Sequence, residues 1–241
     1  ISHQQQLTIR GKIQAITVNP NNIVTPCLQT LIPREANHIG AGSYTIDNAV
    51  PENILQFLES LFSTLPVAPP TEAANKKKKA ERGIPCSMRH YFCDSEQYLC
   101  KTLSLIIESV MNIHHSNKDI TVNGQRPVQV TMFQQMRFLN YLTPGSALLP
   151  HIDLAKVDPF SGCGRRSTHT FIMYISDCEL GGETALLQEL SPDGPFAKHE
   201  VLALTTPVRG RMLIFPHACP HEGKEVVSVP KVLLRGELHI E

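Results

Sequence analysis

Residues 127–240 form a succession of short, β-rich runs, and this pattern restricts the fold more than any other feature of the chain. Apolar and β-branched residues alternate with clusters of glycine and proline that interrupt them. The predicted strands are 128–133, 136–142, 169–175, 184–188, 200–204, 211–215 and 226–240, the last with a break at Pro230. Many short strands at such spacing predict a β-sandwich or β-barrel.

Two amphipathic helices precede these strands. Apolar residues at helical spacing predict one helix over residues 51–65, with Asp47 and Asn48 as candidate N-caps. A second apolar stripe follows Asp94, another candidate cap, and ends before Asn112. Helices in this position would pack on one face of the sheet and brace it, so we expect a mainly β (α+β) fold.

The bulk composition fits one large domain, or one domain with an N-terminal extension. The chain has 241 residues with 22 basic and 22 acidic side chains, so its formal net charge is zero. Zero net charge disfavours a general nucleic-acid binder, and no apolar run reaches the length needed to span a bilayer. We divide the chain into a helical and β lead-in over residues 1–125 and a core over residues 126–241, on which the lead-in packs.

The cysteine pattern predicts an intracellular location. Seven cysteines include no C-x-x-C pair, which is typical of thiols kept reduced in the cytoplasm or nucleus. The lysines at 76–79 are expected in a solvated loop, with a nuclear address as the alternative. Because the chain begins at Ile1, an upstream targeting segment stays an open question.

The candidate chemistry centres on His151 and Asp153, an H-x-D pair that follows a strand-like run. In an extended chain, residues two apart point to the same face, so the pair offers an imidazole and a carboxylate to one point. A second imidazole from a later strand would complete a 2-His-1-carboxylate set. That set binds ferrous iron and leaves positions open for a co-substrate and dioxygen.

Two downstream histidines compete for the third ligand position. His217 and His221 are four residues apart, a spacing that on a helix would form a zinc pair. Proline at 216 and 220 excludes a regular helix, because Pro220 removes a donor and clashes with the preceding turn. We favour His221 as the ligand and place His217 at the rim or in the surroundings of the site.

The strand after His221 carries cations suited to a keto-acid co-substrate. Lys231, Leu233 and Arg235 share one face of that strand. A cation there can pair with the far carboxylate of a keto acid, and arginine does so in bidentate fashion. The structural alternative is that Arg235 pairs with Glu237 or Asp153 of the chain itself.

Residues from about 128 to 241 resemble the 2-oxoglutarate and Fe(II)-dependent dioxygenases, in particular the prolyl 4-hydroxylase-like branch. The blocks that carry the resemblance occur in order: RFLNY at 137–141, PG at 144–145, HID at 151–153, TFIMYI at 170–175, GGET at 181–184, PVRG at 207–210, LIF at 213–215, HEG at 221–223, lysine at 231 and LR at 234–235. The predicted helix over 51–65 and the segment 89–94 also resemble the lead-in of this branch. The resemblance implies a double-stranded β-helix (jelly roll).

The same resemblance implies an iron centre and a co-substrate site. His151, Asp153 and His221 would hold the iron and form the catalytic centre. 2-Oxoglutarate would be bound by a basic residue on the penultimate strand, and both positions used in related enzymes are basic here: lysine at 231, ten residues past the distal histidine, and arginine at 235, fourteen past it. We favour Arg235, because its fork suits a carboxylate, and place Lys231 second.

Tyr141 resembles the aromatic residue that hydrogen-bonds the same carboxylate. The activity implied is a hydroxylase that uses Fe(II), 2-oxoglutarate and O2, with ascorbate as reductant, and releases succinate and CO2. The chain departs from the prolyl hydroxylases in lacking tryptophan and in having Leu148 where they have an aromatic residue; both differences concern the substrate pocket and not the iron-binding blocks.

Three function classes therefore compete. The favoured one is hydroxylation of a protein or peptide side chain, with no membrane and no nucleic acid as partner. The second keeps the same cofactors and acts on a small molecule or nucleobase, and the third is a cupin-like binding module without catalysis. Two long linkers, 156–166 and 190–198, are expected to line the mouth of the site, where such loops often set specificity. The sequence specifies neither the substrate nor the oligomeric state.

Overall fold

The computed structural model describes residues 26–68, 84–118 and 126–241, and two antiparallel sheets form its framework. The larger sheet has the order β1 (Cys27–Ile32), β2 (Ser43–Asp47), β10 (Met212–Pro216), β7 (His169–Tyr174), β12 (Lys231–Ile240), β5 (Gln135–Tyr141) and β3 (Met88–Cys93), and β4 (Val130–Met132) also pairs with β12. The smaller sheet has the order β6 (Leu148–His151), β11 (His221–Gly223), β8 (Thr184–Leu187) and β9 (Val201–Thr205). The predicted mainly β architecture is confirmed.

The larger sheet extends across the predicted boundary between lead-in and core. Strand β2 pairs with β10, and β3 pairs with β5, so strands from before residue 126 complete the sheet on both sides. The division at residues 125 and 126 stays a prediction. The predicted lysine loop at 76–79 lies outside the described residues.

Both predicted helices are present, as α1 (Glu52–Thr64) and α2 (Tyr98–Lys118). Helix α1 has no side-chain cap, so the predictions for Asp47 and Asn48 were wrong: Pro51 stands at the N-cap, and the carboxylate of Asp47, at the end of β2, pairs with Arg211, with Oδ1 2.6 Å from Nε. Helix α2 runs past its predicted end at Asn112, whose side-chain amide exchanges two hydrogen bonds with the backbone of Val128 and so does not compete for the helix backbone. Among the described residues, no helix is long and apolar enough to cross a membrane.

Side chains along the central strands alternate between two apolar cores. The outer core lies against α1 and α2 and includes Phe138, Phe171, Met173, Ile214 and Leu234. The inner core lies between the sheets and includes Leu139, Ile172, Tyr174, Leu213 and Leu233. Because the side-chain period of a strand is two, this alternation directs Lys231, Arg235 and Glu237 of β12 to the inner side. The polar residues of the candidate site therefore lie between the sheets.

Candidate active site

The three predicted iron ligands converge at one end of the smaller sheet. His151 ends β6 and His221 begins β11, and the two residues lie directly opposite each other in the pairing of these strands. Asp153 lies two residues beyond β6, where its backbone N–H donates to the carbonyl of His217. Nε2 of His151 is 3.8 Å from Oδ1 of Asp153, and Nε2 of His221 is 3.6 Å from Oδ2. One donor atom from each residue lies within 4.8 Å of the other two.

The hydrogen bonds of His151 and His221 fix the tautomer in which Nε2 is free to bind a metal. Nδ1 of His151 is 2.8 Å from the carbonyl oxygen of Leu149, and Nδ1 of His221 is 3.0 Å from that of Cys219. A carbonyl oxygen only accepts, so Nδ1 carries the proton in each ring and Nε2 keeps its lone pair. Burial lowers the pKa of His221 to about 4 and also lowers the pKa of His151, so both rings are neutral near pH 7.

The carboxylate of Asp153 has one oxygen occupied and one available. Oδ2 lies 2.7 Å from Nη2 of Arg235 and accepts a hydrogen bond of 2.6 Å from Oγ1 of Thr170. Burial raises the pKa of Asp153, but the charge of Arg235, the two hydrogen bonds and, in acid, the charge of a protonated His221 outweigh it, so this pKa lies well below its usual range. The ionised Oδ1 remains for a metal.

This donor set fits an iron ion. Nitrogen and oxygen ligands at about 2.1 Å from a metal and at right angles to one another lie about 3 Å apart. Nε2 of His151 lies 3.8 Å from the available Oδ1 of Asp153, and one donor atom from each of the three residues lies within 4.8 Å of the other two, so one ion can contact all three after small side-chain adjustments. Two neutral imidazoles and one carboxylate on one side of the ion match the facial ligand set of ferrous oxygenases. His151, Asp153 and His221 can therefore hold Fe(II).

Arg235 is engaged by carboxylates of this chain. Besides its contact with Asp153, its Nη1 lies 2.9 Å from Oε1 of Glu237, which is 2% exposed. Nζ of Lys156 lies 2.6 Å from the same oxygen. These contacts are the structural ion pairs that the sequence left as the alternative for Arg235. Its preferred role as ligand of the co-substrate stays a prediction, and these ion pairs weigh against it.

Lys231 has a different environment from Arg235. It is 1% exposed, it lies directly opposite Tyr141 in the sheet, and its Nζ is 5.0 Å from the centre of the Tyr141 ring. Among the described residues, no carboxylate lies within 4 Å of this ammonium group. Burial lowers the pKa of Lys231 to about 8. A buried cation of this kind is stabilised by an anionic ligand.

His217 lies outside the ligand group and behind Asp153. Its Nδ1 is 2.9 Å from Oγ1 of Thr170, and its Nε2 is 2.7 Å from Oγ of Ser167. Since the hydroxyl of Thr170 donates its one hydrogen to Asp153, it accepts from His217. The His217 ring thus orients the hydroxyl of Thr170, and this hydroxyl in turn orients the carboxylate of Asp153. Sequence reasoning missed Thr170 and Ser167, because a threonine or serine in a strand-rich segment carries no distinguishing signal.

The sequence matches a family model over this part of the chain. Residues 136–236 match the model described as the 2OG-Fe(II) oxygenase superfamily. This span is a 2OG-Fe(II) oxygenase domain. It contains all six candidate site residues, from Tyr141 to Arg235. With this domain the protein is a 2-oxoglutarate-dependent dioxygenase, an oxidoreductase, and the family of the domain implies Fe(II), 2-oxoglutarate and O2. No curated protein sequence matches the chain.

Solved structures of distant proteins share the fold. An oxidoreductase of the 2OG-Fe(II) oxygenase family from Burkholderia pseudomallei has a TM-score of 0.50 and 14% identity, over 82% of this chain and 84% of that one. The alpha-ketoglutarate-dependent epimerase SnoN from nogalamycin biosynthesis has a TM-score of 0.50 and 11% identity, over 82% and 78%. A viral collagen prolyl hydroxylase from Paramecium bursaria Chlorella virus-1 has 0.45 and 15%, over 84% and 98%. At a TM-score of 0.50 the first two support the predicted jelly roll, which is confirmed.

Proposed function

We propose that this dioxygenase hydroxylates a side chain of a protein or peptide, with iron held by His151, Asp153 and His221. The observation that carries the proposal is the convergence of two neutral imidazoles and one ionised carboxylate, whose donor atoms lie within 4.8 Å of one another. Bound there, Fe(II) supplies dioxygen activation coupled to decarboxylation of 2-oxoglutarate to succinate and CO2. We include ascorbate as the reductant that keeps the iron ferrous.

In this proposal Lys231 and Tyr141 bind the far carboxylate of 2-oxoglutarate. The support is that the Lys231 ammonium is buried and has no carboxylate partner among the described residues, while Tyr141 lies beside it across the strand pair. Arg235 is placed second, because its guanidinium already spans Asp153 and Glu237. Its role would be to hold Asp153 ionised and oriented.

The segment after the iron ligands supports a peptide or protein as substrate. His151 is exposed on one side, so the site opens to solvent there. Beyond it, Leu154 is 76% exposed, and Val157 and Phe160 are each about half exposed. Apolar side chains exposed together in one loop beside a site favour contact with a macromolecule. The prolyl 4-hydroxylase-like branch, which rests on the sequence blocks, belongs to the same proposal.

The test is succinate release by protein reconstituted with Fe(II), 2-oxoglutarate and ascorbate, offered either a peptide library or a set of small molecules. We expect the peptides to stimulate succinate release and to gain one oxygen atom by mass spectrometry, and His151→Ala to abolish both. Stimulation by small molecules alone would retain the enzyme and overturn the substrate class. A protein that binds neither iron nor 2-oxoglutarate would overturn the site itself.

A further inference from the structure

A second cationic group lies beside the candidate iron site on the inner face of the larger sheet. Arg137 on β5 is directly opposite Arg235 on β12. Residues paired in this way carry their side chains on the same face, with Cβ atoms about 4.5–5.5 Å apart. Arg89 on β3 lies opposite Leu139, one row further along that face. The strand register therefore assembles three arginines around one region of the interior.

Within the described ranges, only Arg235 of these three arginines pairs with a carboxylate. Among the described residues, the carboxylates near this region pair with Arg235 and Lys156, and neither Arg137 nor Arg89 has a carboxylate within 4 Å. Nε of Arg137 is buried without a hydrogen-bond partner in the same part of the chain. Burial lowers the pKa of Arg137, and the charges of Arg235 and Arg89 lower it further. Like charges side by side on a sheet are destabilising, and an anionic ligand would relieve them.

Arg137 and Arg235, which are paired across β5 and β12, lie between the candidate iron site and the solvent-exposed side of β3. The neighbouring guanidinium of Arg235 contacts Asp153 at 2.7 Å, and the charge of Arg137 contributes to lowering the pKa of His151. On its other side, Arg137 lies opposite Tyr91 of β3, the last strand of the larger sheet among the described residues, and the Tyr91 side chain is 48% exposed. A ligand entering at this edge can therefore contact Arg137 without displacing the ion pairs of Arg235.

We propose that Arg137, assisted by Arg89, binds an anionic group of the substrate, a carboxylate or a phosphate, beside the iron centre. The inference rests on the proposed function, in which Lys231 and Tyr141 serve the co-substrate and leave Arg137 for the substrate. The planar guanidinium suits either anion because it donates two parallel hydrogen bonds. An acidic or phosphorylated residue near the reacting side chain would be oriented by this contact.

The test uses two fluorinated anions, trifluoroacetate for the carboxylate and monofluorophosphate for the phosphate. Each is titrated into protein loaded with Mn(II) and N-oxalylglycine, which fill the metal and co-substrate sites, and the paramagnetic ion broadens the 19F line of an anion that binds nearby. We expect saturable broadening for at least one anion. Arg137→Gln should weaken that binding by at least about tenfold, the loss of one charge-assisted bidentate pair. Arg126→Gln, which removes an exposed arginine elsewhere, should leave it unchanged.

Several outcomes would overturn the inference. It is wrong if neither anion binds the native protein, or if Arg137→Gln binds both as tightly as native. It is also wrong if Arg137→Gln weakens N-oxalylglycine binding instead, because Arg137 would then serve the co-substrate. Failure of the native protein to bind Mn(II) and N-oxalylglycine contradicts the proposed function, and it is seen before either anion is added. If Arg137→Gln does not fold, crystals of the native protein can be soaked in bromide instead. An anomalous bromide peak in contact with Arg137 would support the anion site, and the absence of such a peak would contradict it.

Discussion

The guanidinium of Arg235 joins two buried carboxylates, with Nη2 2.7 Å from Oδ2 of Asp153 and Nη1 2.9 Å from Oε1 of Glu237. One oxygen of the candidate iron ligand is thereby fixed, and the other faces His151. The residue that the sequence favoured for the co-substrate thus lies where it orients Asp153, a candidate metal ligand. Because Arg235 and not Lys231 makes these ion pairs, we expect substitutions of the two basic residues of β12 to have different effects on stability and on co-substrate binding.

Arg235→Ala should mainly reduce stability and metal affinity. Removing the guanidinium leaves the buried Asp153 without its charged partner and leaves Glu237 with Lys156, and breaking a buried ion pair in this way typically costs about 3–5 kcal/mol. We expect a lower free energy of unfolding in urea and weaker Mn(II) binding, with Arg235→Lys intermediate because it keeps the charge and loses the fork. A higher KM for 2-oxoglutarate at unchanged stability would instead assign the guanidinium to the co-substrate.

Lys231→Met should have the opposite effect on stability. The pKa of Lys231 is about 8 in the fold and 10.5 in its ordinary state, so its charged form costs about 3 kcal/mol at pH 7. An apolar side chain of similar length removes that cost, so we expect an equal or higher free energy of unfolding. Binding of N-oxalylglycine should nevertheless weaken by at least about tenfold. Unchanged binding would exclude Lys231 as the carboxylate ligand.

The same lysine predicts how co-substrate affinity depends on pH. Its pKa of about 8 is lowered from the ordinary value, so the free protein holds the charged ammonium below pH 8 and loses it above. Because a carboxylate binds the charged form, affinity for N-oxalylglycine should be constant below pH 8. It should fall by about tenfold per pH unit above it. Calorimetric titration between pH 6.5 and 9.5 measures this. Lys231→Arg stays charged and should flatten the profile, whereas a decline shared by both proteins would point to another group.

The sequence was sufficient to predict the clustering of His151, Asp153 and His221 and the sheet architecture, and it named Asp153 and Glu237 as alternative partners of Arg235, but it did not decide between that role and co-substrate binding. A period of two places Lys231 and Arg235 on one face, yet that pattern says nothing about what faces them. Tyr141 lies opposite Lys231 through the register of β5 and β12, and Asp153 reaches Arg235 from beyond β6. Both relationships depend on how distant strands pair, which the local pattern of one segment does not specify.

Pairing between distant strands also explains why Asp47 does not cap helix α1 as predicted. Asp47 precedes a helix at a spacing that suits capping, but the strand pairing of β2 with β10 brings it to Arg211. A bidentate ion pair with an arginine from a distant strand outweighs the local preference of aspartate for a helix start. Asp94 had no such competitor, and its Oδ2 accepts from the backbone N–H of Cys100 in the first turn of α2.

Substituting the two proposed iron ligands of the H-x-D pair, His151 and Asp153, should have different effects on stability. His151→Ala and Asp153→Ala should both abolish Mn(II) binding and turnover, since either leaves two donors. His151 is partly exposed, so its removal should change the melting temperature little. Asp153→Ala also deprives Arg235 of a partner and should destabilise more. In the native protein, Mn(II) at 100 times its Kd should add about 2.7 kcal/mol to unfolding, and chelation should remove it. Equal melting temperatures for the two variants would contradict the role given to Arg235.

Gly236 separates Arg235 from Glu237 on β12, and its missing side chain is a packing requirement. A Cβ there would lie 2.5 Å from Cε1 of Phe171 and 3.0 Å from Cγ of Met136, inside the outer core. Gly236→Ala should therefore destabilise by about 1–3 kcal/mol, measured by urea unfolding. Phe171→Leu alone should also destabilise, but combining the two should cost less than their sum, because the smaller side chain vacates the space that the methyl group needs. Strictly additive costs would show that Phe171 is not what excludes a side chain at position 236.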